Sequence, residues 1–245
     1  MLSKLDLRAG LGYMSPPDWN MMDSGKSCFG LLRRRACRVP TLRGWLVLAL
    51  GMAVLVLVAV REIQPFLAVS DPLPGGVLVV EGWAPDYVLA AANAEFKRNH
   101  YAGLFVTGIP LERGIPLAEY KNYAYLATAV LIKLGLSTNE VQAVPTESIR
   151  RDRTYAMALS LKHWWREHQM APTQVNLITT GAHARRSRLM YEKALGKGVA
   201  VGVVAIPAND YDDRHWWRSS QGVRTVLDET IAYAYAKLLF HPPEE

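Results

Sequence analysis

Between residues 76 and 240, short apolar runs rich in β-branched residues alternate with longer stretches of helical periodicity. Gly76–Val80, Leu104–Thr107, Val141–Val144, a run beginning at Val175, and Val199–Ile206 all have the length of buried strands, and turn-forming Gly, Pro, Ser, Thr or Asn follow each one. Helices are expected over about 87–99, 117–134, 152–168 and 222–239, with one more carrying three arginines directly after the fourth strand. Gly135 closes the second helix as a C-cap and Asp152 opens the third as an N-cap. Strands joined through helices of ten or more residues need crossover connections, which imply a mainly parallel sheet with helices on both faces. The expected class is therefore a three-layer α/β fold, and no internal repeat interrupts it.

Ahead of this domain, Gly44–Val60 is a run of 17 uncharged residues with Trp45 near one end. Roughly 20 apolar residues span a bilayer as a helix, so the run lies at the short end of the spanning range. It has no polar face to suit a core helix, and a 43-residue leader is long for a cleaved signal peptide. An uncleaved transmembrane signal anchor is expected over 44–60. Arg33, Arg34, Arg35, Arg38 and Arg43 precede it, while Arg61 beside Glu62 follows it. The positive-inside rule then keeps the N-terminus in the cytosol and, in a bacterium, sends the folded domain to the extracytoplasmic side of the inner membrane. Residues 1–43, with Pro16-Pro17 and no sustained periodicity, read as a disordered basic cytosolic segment, and 61–75 as a Pro-containing connector.

The net charge of +6 suggests nucleic-acid binding until it is divided along the chain. Residues 1–60 carry eight Lys/Arg against three Asp/Glu, and the remainder carries 20 against 19. Basicity thus belongs to the leader, and no nucleic-acid partner is expected for the domain. The only cysteines, Cys28 and Cys37, precede the apolar run and are expected as free thiols on the cytosolic side. Dinucleotide, Walker A, nucleophile-elbow and His-Glu-x-x-His motifs are absent, and no metal site is expected.

Open parallel sheets bind ligands beyond the carboxyl ends of their strands, near the point where strand order reverses. Residues in such positions are Glu81, Gly82 and Trp83; Thr107 and Gly108; Glu147 and Ser148; Thr180, Gly181 and His183; Asn209 and Asp210. Glu81, Glu147 and His183 are the candidate catalytic groups, because paired carboxylates and an imidazole can carry a proton near neutral pH. Gly82, Thr107, Gly108, Thr180, Gly181, Arg185 and Arg186 are the candidates for binding a substrate or anion. A plainer reading stands beside each: the glycines permit tight turns, His183 is an ordinary helix residue, and the arginines are a solvated face.

Arg185, Arg186 and Arg188 sit where a helix N-terminus is already partly positive, which disfavours each cation by roughly 0.3 to 1 kcal/mol. A negative partner is expected, either a bound anion or the carboxylates of Glu81 and Glu147. Arg185 and Arg188 share a helix face and Arg186 points elsewhere, so at most two of the three serve one pocket. Arg150, Arg151 and Arg153 repeat the arrangement before the preceding helix. The Tyr211–Trp217 segment reads as a metal- or sugar-binding loop, or as tryptophans that pack on the domain or enter the headgroup zone beside the anchor.

Several of these residues fall in an order that resembles the YdcF-like family of SanA- and ElyC-type envelope proteins. They are Glu119 on a helix, Gly135 at its end, Glu147-Ser148 with Arg153-Thr154 ahead of the next helix, and Thr179–His183 with Arg186. The resemblance covers about residues 76–240. It implies a Rossmann-like α/β domain behind a single membrane helix, with links to envelope integrity and to peptidoglycan or lipid-carrier metabolism. It adds Thr154 to the binding residues, and a cytosolic relative suggests S-adenosylmethionine as a ligand. Glu81-Gly82-Trp83 stands where the family usually has a Gly-Gly pair, and Tyr155-Ala156 where it often has Asn.

The expected function is that of a membrane-anchored, extracytoplasmic protein of cell-envelope biogenesis that binds or processes a phosphate-containing, lipid-linked or otherwise phosphorylated precursor. As an enzyme it would be a hydrolase or transferase. The alternatives are a non-catalytic scaffold regulating envelope enzymes and a nucleotide or S-adenosylmethionine binder. No cofactor is assigned.

Overall fold

The computed structural model describes residues 39–242, together with a two-residue antiparallel pairing of Lys26–Ser27 with Leu32–Arg33. Cys28, Cys37 and most of the expected disordered segment lie outside the described residues. The chain divides into two units, Met1–Leu50 and Gly51–Glu245. The helix α1, Leu42–Leu67, begins in the first and continues into the second. It is the one helix among the described residues long and apolar enough to cross a membrane. Residues 61–67, expected as the start of a connector, are its last two turns. Pro65 lies in the last turn, where its lack of an N–H leaves the Arg61 carbonyl without its intrahelical donor.

The second unit is a five-stranded, all-parallel sheet with helices on both faces. Its elements in chain order are β1 (Val77–Glu81), α2 (Asp86–Arg98), β2 (Leu104–Gly108), α3 (Tyr123–Lys133), β3 (Val141–Pro145), α4 (Arg153–Glu167), β4 (Gln174–Thr180), α5 (Ala184–Leu195), β5 (Ala200–Ile206) and α6 (Ser220–Leu238). Spatially the strands run β3-β2-β1-β4-β5. Alternation along β1 explains the two layers of helices. Val77 and Val79 are buried with Leu161 and Trp165 of α4 and Tyr191 of α5. Leu78 and Val80 point the other way, into a cluster with Val88 and Leu89 of α2 and Leu131 of α3.

Three local expectations are corrected. The helix expected from residue 117 starts at Tyr123, after a single 3-10 turn at Ile115–Leu117. Asn122 is its N-cap, accepting from the Ala124 amide at 2.8 Å, and Glu119 therefore lies outside the helix. Asp152 precedes α4 in the left-handed conformation and its side chain makes no capping bond. Residues 71–75 are fastened to the sheet: Asp71 bridges Val203, and buried Asn176 in β4 accepts from Leu73 N at 2.7 Å while donating to the Leu73 and Gly75 carbonyls.

Candidate functional site

The strand order reverses between β1 and β4, because successive crossovers carry the chain outward from β1 to β3 and the next one returns it to the far side of β1. Glu81 ends β1, and its register places it beside Thr179 of β4. It is completely buried. Its carboxylate accepts from Thr179 Oγ1 at 2.5 Å and from Ser187 Oγ at 3.1 and 3.2 Å. A 3-10 turn, Gly181–His183, follows β4 and brings His183 Nε2 to 3.5 Å from Glu81 Oε2. That is an ion-pair distance, too long for a hydrogen bond.

The other imidazole nitrogen, Nδ1, lies 2.8 Å from Oε1 of Glu229, which α6 supplies. Arg186 of α5 grips the same carboxylate with both arms, Nε to Oε2 at 2.8 Å and Nη2 to Oε1 at 3.1 Å. Its Nη1 reaches Thr154 Oγ1 at 3.4 Å. Nη2 also comes within 2.9 Å of His183 Nδ1. Both nitrogens cannot donate to each other, so an Nδ1–H aimed at Glu229 is the arrangement consistent with two nearby carboxylates. Trp83 covers the imidazole edge-on, with ring centroids 4.9 Å apart.

These neighbours set the proton affinities. Burial alone would lower the His183 pKa, but Glu81 and Glu229 outweigh burial and the repulsion of Arg186, and raise it to about 8. Burial alone would raise Glu81 and Glu229, but His183, aided by the hydrogen bonds and Arg186, holds both below the usual carboxylate range, Glu229 at about 2. At neutral pH the cluster is an imidazolium and a guanidinium set among two carboxylates, and its net charge is zero.

A cavity of about 640 Å³ opens on this cluster at the carboxyl edge of the sheet. His183, Arg186, Glu229 and Thr154 form its polar wall, Met157, Met190 and Tyr235 its apolar wall, while Arg150 stands on the loop before α4 and Arg153 at the first position of that helix. Arg153 pairs with Glu112, whereas Arg150 has no ion pair among the described residues. No group of three His, Cys, Asp or Glu suited to a metal ion occurs among the described residues.

Of the candidate residues, the structure brings Glu81, Thr154, His183 and Arg186 together, and separates the rest. Glu147 is exposed and does not line the cavity, so the carboxylate opposite Arg186 is Glu229 instead. Arg185 turns away, its Nε donating to the Phe66 carbonyl at the end of α1 and its guanidinium 4.0 Å above the Phe66 ring. Thr107 is buried and bonded to the Tyr191 hydroxyl at 2.9 Å. Gly82 and Gly108 are packing glycines: a Cβ would lie 2.6 Å from Tyr123 O and 2.2 Å from Ala124 N respectively. Thr180 and Gly181 shape the turn without lining the cavity.

Sequence reasoning missed Glu229 and Ser187. Glu229 follows Asp228 on an amphipathic helix and reads as a solvated face, and only the docking of α6 against α5 makes it a partner of His183. Compared with family profiles and with curated proteins, the chain matches none.

Proposed function

We propose that this is a single-pass membrane protein of the bacterial cell envelope, with a cytosolic N-terminus and an exported domain that binds and processes a phosphate-containing envelope precursor. The observation that carries the reading is His183, a proton-bearing group between two carboxylates, in the wall of an open cavity at the strand-order switch. A pKa of about 8 lets the imidazolium release and recover a proton near neutral pH, and because Nε2 is buried against Glu81 the proton exchanged with a leaving oxygen is the one Nδ1 shares with Glu229 in the cavity wall. Glu81 does not reach the cavity and acts through His183, as a positioning residue. Arg150 has a free charge for a phosphoryl oxygen, and Arg186 is held by Glu229 with its donors along the wall.

The envelope setting rests on the apolar helix, the arginines before it and the resemblance to YdcF-like proteins. Of the two tryptophans, Trp216 and Trp217, only Trp217 is exposed and the strand-edge cavity is open, so the scaffold reading has less support than a ligand site. Nucleotide or S-adenosylmethionine binding lacks a glycine-rich loop.

Full-length protein in detergent, titrated calorimetrically with a polyprenyl phosphate and followed by phosphorus NMR for turnover, tests the proposal. Binding should weaken about tenfold in Arg150→Ala, in line with the loss of one charged hydrogen bond. Turnover should disappear in His183→Ala with binding retained. Absence of binding to phosphorylated or lipid-linked precursors, together with normal envelope integrity in His183→Ala and Arg186→Ala strains, would remove it.

A further inference from the structure

A second cavity, of about 610 Å³, shares no lining residue with the first and lies between the end of α1 and a 3-10 segment at Asp213–Arg218. Arg61, Arg214 and Arg218 line it, and none of the three has an ion pair among the described residues. Three guanidiniums without an internal carboxylate partner leave this hollow able to take an anion by paired N–H donors. The carboxylate that shares the hollow, Asp213, already accepts from Gln64 Nε2 at 2.9 Å. The neighbouring Asp212 pairs with His215 at 2.7 Å. The lining therefore keeps an excess of positive charge.

Its height along α1 identifies the anion. The apolar run ends at Val60, and the Val60 carbonyl accepts from Trp216 Nε1 at 2.9 Å, so the 3-10 segment touches the helix where its apolar part stops. Arg61 begins the last stretch of α1, which at 1.5 Å per residue rises about 10 Å before Leu67. A headgroup layer is about 5 to 7 Å deep on each side of the hydrocarbon core. Trp217 lies in the same lining with 37% of its surface exposed, the placement favoured by tryptophan at a membrane boundary. Arginines bind phosphate with paired N–H donors.

We infer that this hollow holds the headgroup of an anionic phospholipid, gripped by Arg61, Arg214 and Arg218 beside Trp217. The lipid comes from the bilayer that α1 crosses, and the site is separate from the strand-edge cavity. The inference rests on α1 being a membrane span and is independent of what the first cavity binds.

The test reconstitutes full-length protein into phosphatidylcholine nanodiscs with increasing phosphatidylglycerol and counts retained lipids by native mass spectrometry after transfer to detergent. Wild type should retain phosphatidylglycerol in a saturable, salt-sensitive manner. The triple variant Arg61→Gln, Arg214→Gln, Arg218→Gln should bind it at least tenfold more weakly, while Arg150→Gln, at the other cavity, should match wild type. Equal retention by wild type and a triple variant with an unchanged melting temperature overturns the inference. So does displacement of the lipid by millimolar inorganic phosphate, which would make the hollow a free-phosphate site. Protein that partitions into the aqueous phase on carbonate washing refutes the membrane span itself, an outcome distinct from losing the headgroup site alone.

Discussion

Helical spacing sets Arg186 apart from Arg185 and Arg188 at the start of α5, and in the structure each of the three meets a different neighbour. Arg185 is satisfied by the Phe66 carbonyl and ring, Arg186 by Glu229, and Arg188 by Asp71 and Glu192 at 2.8 and 3.0 Å. A carbonyl at the C-terminal end of α1 carries partial negative charge, which offsets a cation at the positive end of α5. The pKa shifts give a signed expectation. His183 holds its proton to about 8 when folded against 6.5 in the open chain, so its contribution to stability is complete below pH 6.5 and is lost as pH rises through 8. Glu229 behaves oppositely: its contribution is complete above pH 4.5 and is lost as pH falls towards 2. Thermal unfolding should show the cluster most stabilising between these limits, with roughly 2 kcal/mol fading from pH 6 to 9. In Glu229→Gln the NMR titration midpoint of His183 should move down, since one of its two carboxylates is gone. An unmoved midpoint would mean that Glu81 alone sets the proton affinity.

Legibility at the scale of elements follows the range of the forces involved. The strands and most helices were readable because a buried parallel strand must be apolar throughout, and the alternating order leaves little choice of architecture. The start of α3 was not readable. Apolar periodicity continues back to Leu117, but the backbone at Tyr123–Ala124 is gripped by Gly82 and Gly108, contacts set by folding and not by local preference. Glu81 and His183 could be named because they follow strands, whereas Glu147 follows one too and points to solvent, a choice decided by the path of its loop. Gly108→Ala should cost about 3 kcal/mol through overpacking, while Gly198→Ala, which meets nothing within 4 Å, should stay within about 0.5 kcal/mol of wild type. Equal melting temperatures for the two variants would show that α3 can shift freely. Asn176→Leu would strand three backbone groups of residues 73–75 and should destabilise by at least about 3 kcal/mol in chemical denaturation. A smaller loss would mean that water reaches that segment.

At the scale of the molecule, the strand order concentrates the polar cluster at one place, since β1 and β4 are the only adjacent pair from which the neighbouring crossovers depart in opposite directions. The parallel sheet was implied by the alternation of elements, although neither the strand pair at the switch point nor the partners of His183 were. The passage from α1 into the domain was less legible, because a proline and a following polar stretch suggest slack. Leu67 is fully buried and Gln64 nearly so, Gln64 bonds Asp213, and Trp216 bonds Val60. Leu67→Ala should cost 2 to 5 kcal/mol, as for other buried leucines, and an effect near zero in denaturant would mean that this junction is loose. A continuous helix also advances about 100° per residue. Adding or deleting one residue between Val60 and Leu67 would therefore turn the Val60 carbonyl more than a quarter turn away from Trp216 while Leu67 stays seated, and a seven-residue insertion would restore the heading but leave that carbonyl about 10 Å out of reach. The spacing between the Val60 carbonyl held by Trp216 and the buried Leu67 is thus fixed at both ends, and a change of length there breaks a contact that a side-chain substitution leaves in place.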